Sequence, residues 1–91
     1  MKKRINLIAK GHVQGVCFRV DSRRQARILG LKGWCRNNHD GTFELTAEGE
    51  ESELKELIKW CRQGPSSAVV DDIKVIWEEY TAEFETFSIK Y

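Results

Sequence analysis

The sequence lacks the long apolar run that a transmembrane helix requires. No stretch of its 91 residues approaches the roughly 20 consecutive apolar residues that span a bilayer. The basic start, MKKRINLIAKG, is followed by neither an adequate apolar stretch nor a cleavage site of small residues, which excludes a signal peptide. The sequence therefore predicts one soluble domain, residues 1–91, that lies in the cytoplasm and has no membrane partner.

Cysteine is scarce, and its spacing excludes two classes of small protein. Cys17, Cys35 and Cys61 are odd in number and widely spaced, which fits neither a disulfide framework nor a CxxC zinc site. The pattern indicates a reducing, cytosolic setting. Cys61 lies on the apolar stripe of a predicted helix and Cys35 within a predicted strand, so we expect both in the core. Whether Cys17 pairs with Cys35 stays open at this point.

Acidic residues are nearly absent from the first part of the chain. Residues 1–36 hold ten Lys and Arg and one acid, a net charge of +9, whereas residues 37–91 have a net charge of −8. Such asymmetry can indicate a nucleic-acid partner, and it can equally serve a small anionic ligand. Arg23, Arg24 and Arg27 recur at helical spacing, which is also typical of a solvated helix face.

The spacing of apolar residues predicts six main elements and a short extra strand. An Asp40–Gly41 pair between two strand-like runs predicts a hairpin. The order β-α-β-β-α-β predicts a ferredoxin-like α+β sandwich, with an antiparallel sheet and two helices on one face. The predicted elements are strand Arg4–Lys10, helix Phe18–Leu29, strand Leu31–Asn37, strand Thr42–Glu48, helix Glu51–Gln63, strand Asp71–Tyr80 and strand Phe87–Tyr91.

The stretch GHVQGVCFR, residues 11–19, joins the first strand to the first helix and predicts an anion site. An arginine in the first turn of a helix is unfavourable there unless an anion joins it, because helix N-termini carry partial positive charge. Gly11 and Gly15 let the backbone turn sharply, so that successive amides can surround an oxyanion. The planar fork of Arg19 matches phosphate geometry. From the residues alone, a tight turn whose glycines serve only the chain path is an equal alternative.

Cys17 and Arg19 suggest a thiolate that attacks phosphate, as in protein tyrosine phosphatases. Those enzymes space the two residues as C-x5-R, so that the intervening amides wrap the phosphate. Here a single residue separates them, which leaves no loop to wrap the anion. We therefore reject Cys17 as a nucleophile.

The same stretch, followed by LGLKGWCRNNHDG at residues 29–41, closely resembles the acylphosphatases. Their pattern is G-x-V-Q-G-V-x-F-R, then L-G-L-x-G-W-x-x-N-x-x-D-G in bacterial members. The match continues through Trp60, Gly64-Pro65 and Ala68–Val70 to the ending FSIKY, and so covers the whole chain. The resemblance implies the ferredoxin-like fold, which agrees with the order of elements.

The resemblance also implies a function. Acylphosphatases hydrolyse carboxylic–phosphoric anhydrides to a carboxylate and inorganic phosphate, so the implied partner is a small acyl phosphate, and no metal or other cofactor is needed. We expect a monomer, although nothing in the sequence fixes the oligomeric state. Asn37 would orient the attacking water. Without the resemblance, both Asn37 and Asn38 fit turn residues, and Asn38 stays assigned to the turn. The phosphoryl oxygens would be held by Arg19 and by the amides of Gln14, Gly15, Val16, Cys17 and Phe18.

The other candidate residues are expected to lie outside the chemistry. His12 and His39 are isolated, so we expect exposed side chains and no metal site. Tryptophans at positions 34, 60 and 77 are expected to pack in the core.

Three other functions compete with hydrolysis. RNA binding lacks an RNP1 pattern, and the strand Thr42–Glu48 carries acids where stacking aromatics are needed, so we expect no nucleic-acid partner. A regulatory domain that holds phosphate without turnover would be separated by an activity assay. The related carbamoyl-phosphate domain of hydrogenase-maturation proteins is followed by zinc-finger cysteines that this chain lacks.

Overall fold

The computed structural model describes residues 1–91 and contains five strands and two helices. Every predicted element is present, and each predicted boundary lies within two residues of the observed one. Neither helix has the length and apolar character of a bilayer-spanning segment. The elements are β1 (Lys2–His12), α1 (Phe18–Ile28), β2 (Lys32–Asn37), β3 (Phe43–Glu50), α2 (Glu51–Gln63), β4 (Val69–Glu78) and β5 (Phe87–Ile89).

The strands form one sheet in the order β4-β1-β3-β2-β5. β1 pairs antiparallel with β3 and β4, and β2 pairs antiparallel with β3, which confirms the predicted ferredoxin-like arrangement. The short strand β5 pairs parallel with β2, so the sheet is mixed and not wholly antiparallel. This follows from the chain path, because residues 79–86 carry the chain from β4 at one edge to β5 at the other.

The core lies between the sheet and the two helices. Alternate residues of β1 and β3 face the helices, and α2 contributes a matching apolar stripe. The ring of Phe18, the first residue of α1, lies 4.5 Å from that of Phe43 and meets Trp60 edge-on at 5.5 Å. Burial of such a side chain contributes about 1.5–3 kcal/mol, so it anchors the start of α1 to the sheet. The core residues of β1, β3 and α2 are Ile5, Leu7, Ala9, Phe43, Leu45, Ala47, Leu54, Leu57 and Cys61.

The predicted burial of Cys35 and Cys61 is confirmed, and the tryptophan prediction is partly wrong. Cys35 and Cys61 are buried, and all three cysteines are free, so Cys17 and Cys35 form no disulfide. Trp60 packs against the core, as expected. Trp77 is 41% exposed because β4 is an edge strand. Trp34 points away from the core, where Arg36 and Lys90 lie over its ring.

Candidate active site

The loop between β1 and α1 has an alternating backbone conformation. Gly15 (φ 73°) and Cys17 (φ 64°) are left-handed on either side of Val16. Such alternation turns successive amide groups toward a common concavity that binds anions. The left-handed conformation is free for glycine but costs about 1–3 kcal/mol at Cys17. The buried side chains of Val13, Val16 and Phe18 hold the loop in this strained form.

The amides of this loop and of the first turn of α1 have no acceptor in the protein. None of the N–H groups from Gln14 to Val20 donates a hydrogen bond, and the first helical bond runs from Asp21 N to Cys17 O at 3.0 Å. No side chain caps the helix. Unpaired donors at a helix N-terminus create partial positive charge, which attracts an anion.

Arg19 lies in this first turn with its guanidinium free of carboxylates. No acid lies within ion-pair distance, and the guanidinium carbon is 5.3 Å from the centre of the Tyr91 ring. Its backbone carbonyl accepts hydrogen bonds from Ser22 Oγ (3.1 Å) and Cys35 Sγ (3.6 Å). Burial raises the pKa of the Cys35 thiol, which keeps the thiol protonated as a donor. The backbone of Arg19 is therefore fixed while its charge is available to a ligand.

Asn37 is the last residue of β2 and lies opposite Phe43 of β3. Its side-chain oxygen Oδ1 is buried and receives no hydrogen bond from the protein. An unpaired buried acceptor costs about 1–3 kcal/mol, so such groups are rare without a functional reason. The oxygen can thus accept a hydrogen bond from a molecule bound beside it.

A small cavity of about 60 Å³ brings these features together. A larger recess of about 120 Å³ lies elsewhere and is lined by residues such as Lys32, Glu48 and Tyr80, with none of the loop amides. We assign the site to the smaller cavity because it alone combines a free guanidinium, unpaired amides and an unpaired acceptor. It is lined by Val13, Gly15, Cys17, Phe18, Arg19, Val20 and Asn37.

The structure thus brings Arg19 and Asn37 to one cavity, together with three of the five expected loop residues. The other two are absent from the lining. Val16 is buried in the core, and Gln14 directs its side chain elsewhere.

The hairpin after Asn37 is held by its own polar side chains. Asp40 accepts hydrogen bonds from Thr42 N (3.0 Å) and Thr42 Oγ1 (2.7 Å), which lower the pKa of that carboxyl. Asn38 Nδ2 donates to Thr42 Oγ1 at 3.0 Å, so Asn38 serves the turn, as its position predicts. Gln14 Nε2 donates to the carbonyls of Asn38 and Thr42, a contact that sequence reasoning missed.

Three further residues near the loop lie outside the cavity. His12 and His39 are exposed, as expected, at the end of β1 and in the hairpin. Gly11 (φ 129°) lies at a shift of register between β1 and β4, where a Cβ would meet the Val69 carbonyl oxygen at 2.2 Å. Gly11 therefore serves strand pairing, in contrast to the predicted role in the ligand loop.

Comparisons of the sequence and of the structure with known proteins both identify acylphosphatases as similar proteins. The family model described as Acylphosphatase matches residues 5–89. An acylphosphatase of Pelotomaculum thermopropionicum is 43% identical over 99% of this chain and 98% of its own length, and one of Syntrophus aciditrophicus is 46% identical over 100% and 95%. The crystal structure of acylphosphatase from Bacillus subtilis superimposes with a TM-score of 0.94 at 34% identity and covers both chains completely.

Proposed function

The chain belongs to the acylphosphatase family of acyl phosphate hydrolases, and we propose that Arg19 and the amides of Gln14 to Phe18 hold the phosphoryl group while Asn37 orients the attacking water. One observation carries this assignment. A free guanidinium and an unpaired buried amide oxygen line the same small cavity beside a loop whose amides have no acceptor. The two side chains supply what hydrolysis needs at phosphorus, namely donors for the oxygens and an acceptor for water.

The chemistry requires positioning more than acid catalysis. Water attacks phosphorus in line with the departing carboxylate, the P–O bond to the acyl group breaks, and the carboxylate leaves with the bonding electrons. The guanidinium of Arg19 and the loop amides neutralise the equatorial oxygens as charge develops there. Asn37 Oδ1 accepts one hydrogen bond from the water and aims its lone pair at phosphorus. The water's proton passes to a phosphoryl oxygen of the substrate, so the cycle needs no base from the protein.

Two substitutions separate the two roles. Arg19→Ala should lose turnover of benzoyl phosphate and binding of inorganic phosphate together, with at least about 3 kcal/mol of transition-state stabilisation lost. Asn37→Ala should lose turnover while its phosphate affinity stays nearly that of wild type, because the amide contacts water and not the bound anion. Steady-state kinetics and calorimetric titration with phosphate measure both quantities.

The matched control for Arg19 is Arg24, which lies on the same helix and pairs with Asp21 at 3.3 Å. Arg24→Ala should leave both turnover and phosphate affinity close to wild type. Near-wild-type rates in Arg19→Ala or in Asn37→Ala would refute the role assigned to that residue.

Metal independence stays a prediction, and it follows from the proposed chemistry. A carboxylate is a good leaving group, and the guanidinium and amides supply the positive charge that a metal ion would otherwise provide. Benzoyl phosphate hydrolysis should therefore keep its full rate after prolonged dialysis against a chelator. A loss of rate that added divalent metal restores would contradict this mechanism.

We also propose that residues 1–91 act as one domain, as a monomer in the cytoplasm, without a nucleic-acid partner. The free state of all three cysteines supports a reducing compartment. The acids of β3, Glu44 and Glu48, lie on the helix-free face of the sheet and disfavour a polyanion there. Light scattering should give a mass near 10.6 kDa.

A further inference from the structure

The side chain of Gln14 links the phosphate loop to the hairpin that follows Asn37. Its Nε2 atom donates to Asn38 O at 2.8 Å and to Thr42 O at 3.1 Å, and the residue is half-buried. No other side-chain hydrogen bond joins residues 13–17 to residues 38–42. The loop that carries the amides and the hairpin beside Asn37 are thus tied by one primary amide.

The two acceptor carbonyls are those that close the turn. Asn38 N donates to Thr42 O at 2.8 Å, and Gly41 N donates to Asn38 O at 3.1 Å. Asn38 directly follows Asn37, and Thr42 directly precedes Phe43, which lies opposite Asn37 across the ladder. The amide of Gln14 therefore contacts the residue that follows Asn37 at the end of β2 and the residue that precedes Phe43, the cross-strand neighbour of Asn37, at the start of β3.

The sheet alone does not fix the distance between the loop and Asn37. β3 lies between β1 and β2, so no ladder hydrogen bonds connect the strand before the loop to the strand that ends at Asn37. The backbone amides of the loop donate no hydrogen bonds, so the loop is held by the packing of Val13, Val16 and Phe18 and by the Gln14 side chain.

Phe18 packs on Phe43 and so anchors the start of α1 to the sheet, but it does not reach the turn at residues 38–42. Misplacement of a reacting group by about 1 Å can cost about 100-fold in rate, so a further contact between the loop and this turn matters for the catalytic geometry.

From these contacts we propose that the Gln14 side chain is a positioning residue for the hydrolysis assigned above, and the inference rests on that function. It sets the distance between the phosphoryl group held by the loop and the water held by Asn37. The expected role is distinct from that of the Gln14 backbone amide, which belongs to the loop that binds phosphate. Loss of the side-chain contact should therefore affect the chemical step more than phosphate binding.

The first test replaces the donor without shortening the side chain. Gln14→Met should lower kcat for benzoyl phosphate by about 10- to 100-fold, whereas the Kd of inorganic phosphate should change by less than about threefold. Gln63→Met, at the exposed end of α2, is the matched control and should change neither value. Thermal denaturation of each variant reports whether the fold is kept.

The second test uses a pH profile, which a purely structural role would not alter in the same way. In Gln14→Glu, a carboxylate would face two carbonyl oxygens and could donate nothing, whereas the protonated acid can donate one hydrogen bond. These neighbours favour the neutral form and raise the carboxyl pKa above its ordinary value of about 4.3. Activity of Gln14→Glu relative to wild type at the same pH should therefore rise as the pH falls toward about 5.

Three outcomes would overturn the inference: wild-type kcat in Gln14→Met, parallel loss of kcat and phosphate affinity, or a Gln14→Glu activity that stays a constant fraction of wild type across the pH range. Failure of the proposed function is distinguishable, since it shows in Arg19→Ala and Asn37→Ala. If those two variants behave as expected and Gln14→Met is silent, only the positioning role is wrong.

Discussion

The guanidinium of Arg19 has an aromatic neighbour and no acid within ion-pair distance. A carboxylate in this place would neutralise the charge and compete with phosphate for its donors. The Tyr91 ring, which is 98% exposed, lies beside the guanidinium in a cation–π contact and leaves all its N–H groups available. Such contacts contribute about 0.5–1 kcal/mol at exposed sites, enough to reduce the entropy lost on binding.

Tyr91→Leu should raise KM for benzoyl phosphate by about two- to fivefold and leave kcat unchanged. The expected factor corresponds to the cation–π energy of about 0.5–1 kcal/mol. An interaction that acts equally on the bound ground state and on the transition state changes substrate binding but not kcat. Tyr91→Phe keeps the ring and should match wild type in steady-state kinetics. If Tyr91→Phe has the same defect as Tyr91→Leu, the hydroxyl group and not the ring is responsible.

At the scale of single residues, the local sequence pattern predicts part of the site but not all of it. Arg19 was visible because an arginine beside a helix N-terminus conflicts with the helix dipole. Asn37 and Asn38 are equivalent in local pattern, so only the family resemblance distinguishes them in the sequence. In the structure their environments differ, since Asn38 bonds within the turn and Asn37 Oδ1 has no partner. The acceptors of the Gln14 amide lie 24 and 28 residues away, so no short motif could reveal that contact.

Among the elements, β5 depends on the crossing segment, residues 79–86, which precedes it. Glu48 of β3 is 2% exposed and accepts hydrogen bonds from Thr81 N (2.7 Å) and Thr81 Oγ1 (2.8 Å). Arg4 of β1 lies 3.8 Å from Glu48 and also bonds Glu83. The alternation of apolar and polar residues predicts the main strands, but these polar contacts follow no regular spacing in the sequence. The parallel pairing of β5 was therefore beyond sequence reasoning.

Acid should loosen the crossing segment. The hydrogen bond from Arg4 lowers the pKa of Glu83 below its ordinary value. A carboxyl with a lowered folded-state pKa stabilises the fold above the unfolded value, and that contribution is lost as the pH falls through the folded value. Between about pH 6 and 3, Tm of wild type should therefore fall more steeply than Tm of Glu83→Gln.

Glu85→Gln is the control for this experiment, because Glu85 is exposed and forms no ion pair. Its Tm should follow the wild-type curve. Parallel curves for wild type and Glu83→Gln would show that the pair with Arg4 does not stabilise the protein.

For the whole molecule, the net charge is near neutral, but unpaired basic residues on α1 create a positive electrostatic field that attracts an anionic substrate. Arg19, which lines the cavity, and Arg23 lie one turn apart on α1, and neither forms an ion pair. Like charges at this spacing are mutually unfavourable on a helix. All acids but Asp21 follow residue 37, in the hairpin, β3, α2, β4 and the crossing segment. The substrate's phosphoryl group therefore meets the unpaired charge of Arg19, with the unpaired charge of Arg23 one turn further along α1.

The value of kcat/KM for benzoyl phosphate should fall as salt is added, because the field of Arg23 at the cavity is screened. Arg23→Gln should lower kcat/KM by about two- to fivefold at about 10 mM ionic strength, where the Debye length is about 30 Å, and the difference should vanish near 1 M. Lys3→Gln removes the same charge at the far end of β1, roughly 30 Å from the loop at about 3.3 Å per residue, and should have no effect. Equal effects of the two substitutions would mean that net charge, and not the placement of cations on α1, attracts the substrate.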